Sequence, residues 1–283
     1  MNILTVDGLC KHYPGFTLDH VSFSMEAGTV MGFIGRNGAG KTTTLKTLLR
    51  LVHPDAGKVT LLGLDAAHDE HAIRQKIGFV SGGLSYYPRK TLAQITAVTR
   101  RFYPAWDEAL YRRCLARFRL SEEKRTSALS EGMKVKYQLA LAMSHGAELL
   151  ILDEPTSGLD PVSRDDLLDL FLTLREEDGV SILFSTHITS DLEACADQIT
   201  YIQNGRIFAS LPKREFLAAY RLAECAPARL TPELEAALIG LRRHKDSVSG
   251  LLRAQDAALG KDCTLTAPTL EQLMVYLERE AEK

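Results

Sequence analysis

The sequence predicts an α/β protein built on a doubly wound parallel sheet, with a helical insertion and a small C-terminal α+β appendage. Three observations predict it. The apolar run Thr29-Val30-Met31-Gly32-Phe33-Ile34 ends at a glycine-rich turn, and apolar residues at helical spacing follow. Two later runs, Leu149-Leu150-Ile151-Leu152 and Val180-Ser181-Ile182-Leu183-Phe184, read as strands covered on both faces. Between them and the first run, residues 86–145 turn helical in period and crowd together Phe102, Tyr103, Trp106, Tyr111 and Phe118.

Taken in order, Ile3-Leu4-Thr5-Val6 predicts a strand, Asp7-Gly8 a turn, and Val21-Ser22-Phe23-Ser24-Met25 an alternating second strand. Leu45, Leu48, Leu49 and Val52 form one buried helix face after the glycine-rich turn. Asn204-Gly205, between Ile199-Thr200-Tyr201-Ile202 and Arg206-Ile207-Phe208, predicts a hairpin. The pattern restarts near residue 220, which divides the chain into a main domain, 1–220, and an appendage, 221–283. The appendage offers weak strands around Leu222 and Leu251-Leu252 and a helix start at Thr231-Pro232. Its last helix opens with a Thr269–Gln272 capping box and an apolar face of Leu270, Leu273, Met274 and Leu277.

Composition narrows the function. The chain has 283 residues, and 34 Lys+Arg against 36 Asp+Glu give a net charge of −2. A hydrophobic content of 45% excludes disorder for most of the chain. The near-neutral balance argues against non-specific nucleic-acid binding, which needs a basic surface. No apolar run approaches the ~18–20 residues that span a bilayer. The opening residues lack a basic region followed by an apolar one, so no secretory signal is expected. Cys10, Cys114, Cys195, Cys225 and Cys263 are scattered, without C-x-x-C spacing. The expectation is a reduced, cytoplasmic protein with neither a disulfide framework nor a zinc site.

Two motifs carry chemistry. Gly35-Arg36-Asn37-Gly38-Ala39-Gly40-Lys41-Thr42 matches G-x-x-x-x-G-K-[ST], a loop whose backbone N–H groups wrap phosphate oxygens. The following helix presents its positive end to the same anion. Lys41 reaches the outer phosphates, and the Thr42 hydroxyl suits Mg²⁺. The strand 149–152 ends in Asp153-Glu154. Beside such a loop, Asp153 becomes a second Mg²⁺-side group and Glu154 a general base for an attacking water.

With these motifs in place, residues 1–220 resemble the nucleotide-binding subunits of ATP-binding-cassette (ABC) transporters. Ala128-Leu129-Ser130-Glu131-Gly132-Met133 looks like the family's signature loop, although Glu131 and Met133 depart from the usual residues. Ser157-Gly158-Leu159-Asp160 resembles the D-loop, and Ser185-Thr186-His187 the switch-histidine motif. Tyr13 resembles the aromatic residue that stacks on adenine. The resemblance implies an ATP site of Tyr13, the loop Gly35 to Thr42 and Thr43, with Glu154 and His187 catalytic. It also implies that Ser130, Gly132 and Asp160 act across a dimer of two such subunits. Where the family places a Gln or Glu that touches Mg²⁺, this chain has Gly82, followed by Gly83.

The expected function is ATP hydrolysis, with Mg²⁺, by a dimer peripheral on the inner face of the membrane that powers a separate membrane-spanning permease. The segments 102–107, 161–164 and 185–193 resemble a bacterial export-type subgroup, the YtrB-like subunits. Tyr86 and Tyr87 are expected to face the permease, and the appendage to tune activity. Two alternatives stand beside this: a soluble ABC ATPase without a transport role, and a weakly hydrolysing nucleotide sensor. One cassette per chain and the lack of a long coiled coil disfavour translation and repair members of the first class.

Overall fold

The computed structural model describes residues 1–81 and 87–281, and its first two strands, β1 (Asn2–Tyr13) and β2 (Phe16–Glu26), pair antiparallel. Asp7 and Gly8, expected as a turn, lie inside β1. The register shifts there against both neighbours, and Gly8 has φ 57°. A glycine that could have made a turn instead supplies the positive φ of a bulge, because pairing on both sides keeps the chain in the sheet. The Gly8 N–H donates to Ser22 Oγ at 2.8 Å.

The buried strand β3 (Val30–Ile34) leads through the glycine-rich loop into α1 (Lys41–Leu48). That helix stops before Val52, where Arg50 turns the chain at φ 57°. Strands β4 (Ala56–Leu61) and β5 (Leu64–Asp65) complete a four-stranded sheet of order β2-β1-β4-β5. Helix α2 (Glu70–Gln75) then precedes β6 (Ile77–Ser81).

The expected helical insertion consists of α3 (Leu92–Thr99), α4 (Glu108–Arg117) and α5 (Glu131–Ser144). Each begins at a polar cap, namely Thr91, Asp107 and Ser130. The three helices meet where the hydroxyls of Tyr111 and Tyr137 converge on Thr96 Oγ1, at 2.7 and 2.8 Å. A satisfied polar cluster of this kind fixes one arrangement of an otherwise apolar interior.

The chain re-enters the core through β7 (Leu149–Asp153), α6 (Pro161–Asp178), β8 (Ser181–Thr186), α7 (Thr189–Cys195), β9 (Gln198–Gln203) and β10 (Arg206–Pro212). Strands β7, β8, β9 and β10 join β3 and β6 in a six-stranded sheet of order β10-β9-β3-β8-β7-β6. Its pairs β9/β3, β3/β8, β8/β7 and β7/β6 are parallel. Every residue of β3, β7 and β8 is buried. Because the strands are parallel and closely registered, their C-terminal ends line up. Ile34 pairs with Thr186, Asp153 with Ser185, and Ser81 with Asp153. Ligands of open α/β sheets bind at that edge.

The chain forms two compact units, Met1–Ser210 and Leu211–Lys283. The second contains α8 (Lys213–Ala218), β11 (Tyr220–Cys225), α9 (Pro232–Ala237), β12 (Ile239–Arg243), β13 (Val248–Arg253), β14 (Thr264–Thr266) and α10 (Leu270–Ala281). Its sheet has the order β12-β13-β11-β14. Thr231 caps α9, and Thr269 and Gln272 form the reciprocal cap of α10. The buried face of α10 is Leu270, Leu273, Tyr276 and Leu277. Tyr276 takes the place expected for Met274, because its hydroxyl finds Ser249 Oγ at 2.8 Å inside the fold. Among the described residues, no helix is long and apolar enough to cross a membrane.

Candidate functional site

The loop between β3 and α1 is shaped for backbone approach. A Cβ on Gly35 would lie 2.3 Å from the Ile202 carbonyl oxygen. Gly40 has φ 112°, and a Cβ there would lie 2.7 Å from the Leu18 side chain. Only glycine fits either position. The loop closes through Ala39 N–H to Arg36 O at 3.1 Å, and its crest, Arg36, Asn37 and Gly38, is exposed.

Lys41 opens α1 and is only 5% exposed. Its ammonium donates to Gly35 O at 2.7 Å and Arg36 O at 3.3 Å, and lies 3.4 Å from Glu154 Oε1. A buried cation is thus held at the mouth of a loop of N–H donors. Thr42 is exposed and Thr43 half-buried in the first turn of α1.

Beside this anion cradle lies a set of oxygen ligands. Thr42 Oγ1 donates to Asp153 Oδ1 at 3.2 Å, and Ser185 Oγ donates to the same oxygen at 2.7 Å. A carboxylate and a hydroxyl next to a phosphate cradle fit Mg²⁺, which takes one or two protein oxygens and keeps several waters. When bound, the ion would neutralise phosphate charge at Thr42 and Asp153.

Glu154 follows with φ 51°, a left-handed conformation that costs on the order of 1–3 kcal/mol in a non-glycine residue. The Ser185 hydroxyl helps hold it there by accepting the Glu154 N–H at 2.9 Å. The two carboxylate oxygens face different partners: Oε1 faces Lys41, and Oε2 lies 2.8 Å from His187 Nδ1. Lys41, Thr42, Asp153, Glu154, Ser185 and His187 therefore form one connected group at the sheet's C-terminal edge.

Tyr13 ends β1, half-buried, with the Lys11 ammonium 5.7 Å from its ring centroid. Ser130 caps α5 by accepting Met133 N–H at 3.2 Å, and Gly132 lies against the Leu159 and Ser163 side chains. Asp160 caps α6, accepting from the Val162 and Ser163 N–H groups and the Ser163 hydroxyl. The Ser163 hydroxyl, then these N–H groups, hold the Asp160 carboxyl below its usual range. Among the described residues, no hydrogen bond or ion pair joins Tyr13, Ser130, Gly132 or Asp160 to the Lys41–Glu154 group. Gly82, Gly83 and Tyr86 lie outside the described residues; Tyr87 is exposed.

A family profile described as ABC transporter matches residues 18–157. The bacitracin transport ATP-binding protein BcrA of Enterococcus faecalis is 31% identical over 208 residues, covering 72% of this chain and 68% of that protein. The chain belongs to the ABC transporter ATP-binding family. The cassette is also 30% identical to the ABC transporter ATP-binding protein YtrB of Bacillus subtilis, over 67% of this chain and 65% of that one. It spans about two thirds of the length of such relatives. A solved ATP-binding subunit of an ABC transporter matches 76% of the chain and 93% of its own, with 30% identity and a TM-score of 0.67.

Motif reading places Ser185 only at the start of the switch-histidine segment, and gives no role to the hydroxyl of Thr156 or the carboxyl of Asp191. The contact of the Ser185 hydroxyl with Asp153 follows only from the register that sets the two side by side. Elsewhere, Cys10, Asp19 and His20 bring a thiol, a carboxylate and an imidazole within 4.8 Å. Each is already engaged. The thiol donates to Gly8 O and accepts His20 N–H, while Asp19 pairs with His20 Nδ1 and Arg206.

Proposed function

We propose that this chain hydrolyses ATP as one of two cassettes that dimerise around two nucleotides and drive export through a separate membrane-spanning partner. The observation that carries the reading is the anion cradle of residues 35–41 set directly against Thr42, Asp153, Glu154 and His187. An N–H loop with a buried lysine suits a polyphosphate, the adjoining oxygens suit its Mg²⁺, and a carboxylate beyond them suits a water nucleophile. In hydrolysis, the water oxygen bonds to the terminal phosphorus, its proton passes to Glu154, and the bond to the β-phosphate oxygen breaks to release ADP. His187 holds Glu154 Oε2 in place, and Lys41 bears on the phosphate charge.

The exposed Ser130 and Asp160 support a role across a dimer, and the kinship to the bacitracin transport protein and to YtrB supports a transport role. Purified chain should release phosphate from ATP only with Mg²⁺, and should co-purify from membranes with an integral protein. Binding without hydrolysis, alone or with that partner, would shift the reading to a nucleotide sensor. Tyr13→Ala should weaken ATP binding by about 1–3 kcal/mol, the worth of one aromatic–base stack. Titration calorimetry reads this directly; an unchanged affinity removes Tyr13 from the site.

A further inference from the structure

Asp191 lies in the first turn of α7, fully buried, and takes no part in the chemistry above. Its Oδ2 accepts the Thr156 hydroxyl at 2.6 Å and the Thr186 hydroxyl at 3.4 Å. Its Oδ1 and the Nε of Arg164 are both buried without a hydrogen-bond partner, and they face each other at 3.9 Å. A buried carboxylate satisfied on one side only is costly, so it calls for an explanation.

The explanation is in what it joins. Thr156 sits in the loop 154–160, which begins at Glu154 and ends at Asp160. Thr186 ends β8 immediately before His187, and its hydroxyl also accepts the Ile188 N–H at 2.9 Å. One hydroxyl therefore brackets His187 and reaches Asp191. Arg164 lies in the first turn of α6, which Asp160 caps.

We propose that Asp191 is a positioning residue for hydrolysis: through Thr156 and Thr186 it ties the loop that carries Glu154 to the loop that carries His187. The tie sets the 2.8 Å contact between His187 Nδ1 and Glu154 Oε2 without touching nucleotide. It is firm toward Thr156 and slack toward Arg164. Burial pushes the Asp191 carboxyl up, while Thr156 and Arg164 oppose that shift, so the charge depends on these neighbours.

This rests on the hydrolysis proposed above. The test compares Thr156→Val, Asp191→Ala, Asp191→Asn, Arg164→Met and the double variant Thr156→Val/Asp191→Ala. Steady-state ATPase kinetics, ATP affinity by calorimetry and thermal unfolding are measured for each. Thr156→Val and Asp191→Ala should lower kcat about 10–100-fold, the effect of small misplacement of a catalytic group. ATP affinity should stay unchanged. The double variant should match Asp191→Ala, because both changes break one tie. Asp191→Asn keeps an acceptor for Thr156 and should recover most of kcat, and Arg164→Met should do least.

Normal kcat in Thr156→Val and Asp191→Ala overturns the proposal, as do additive losses or a parallel loss of ATP affinity and stability. Thr156→Val removes a single hydroxyl group and decides the matter if Asp191→Ala does not fold. A wild-type chain that fails to hydrolyse ATP overturns both readings. A hydrolysing wild type with unaffected variants overturns this one alone.

Discussion

Glu154→Gln is expected to lower ATP hydrolysis by about 10²–10⁴-fold while ATP binding survives. The substitution keeps the shape of the side chain and removes its basicity. Its amide oxygen can still accept from Lys41, and its amide nitrogen can donate to a neutral His187, so both contacts of the native carboxylate have a replacement. The left-handed backbone at Glu154 and the N–H bond to Ser185 are untouched. What is lost is the group proposed to take the proton from the attacking water, worth about 3–5 kcal/mol of barrier at those rates. With hydrolysis stalled, ATP should hold two cassettes together through Ser130 and Gly132, visible as a doubling of mass in size-exclusion light scattering. A variant that stays monomeric with ATP and releases phosphate at the native rate removes Glu154 from its role.

The parts of this protein legible in its sequence are those whose cause is local. Residues 35–42 announce a turn that only glycines can make, and the apolar runs at 149–152 and 180–184 announce strands buried on both faces. Thr231 and Thr269 announce helix starts, because an N-cap needs only its next few residues. Non-local facts were not legible. Asp7-Gly8 carries the same chemistry whether it ends a hairpin or bulges a strand, and only pairing with both β2 and β4 decides between them. The edge strand β12 is rich in arginine and glycine and shows little strand pattern. In α10, helical spacing allowed Met274 or Tyr276 to face inward, and the hydroxyl partner at Ser249 chose the tyrosine. The site divides in the same way. Its motifs were visible, whereas Ser185, Thr156 and Asp191 gain meaning only from strand register and loop packing.

Lys41→Ala is expected to abolish measurable ATP binding, and hydrolysis with it. The ammonium is almost fully buried, and three oxygens surround it: the carbonyls of Gly35 and Arg36 and the carboxylate of Glu154. These hold the charge at the opening of the loop, so a polyphosphate meets a positioned cation. Alanine removes that cation and leaves the Glu154 carboxylate close to the place where anionic phosphates must sit. Truncating one partner of a charge pair across a binding interface costs about 2–5 kcal/mol of affinity, which is roughly 10- to 10³-fold or more in Kd. Part of the effect could arise from a collapsed loop, since the two carbonyls lose their donor. Lys41→Met separates the causes, because it keeps most of the stem that fills the space and removes only the charge. Both variants should unfold near the wild-type temperature and show no heat of ATP binding by calorimetry. If Lys41→Met binds ATP as the native chain does, the lysine serves packing, and the loop holds phosphate by its N–H groups alone. If both variants bind normally, the site lies elsewhere and the hydrolytic reading falls with it.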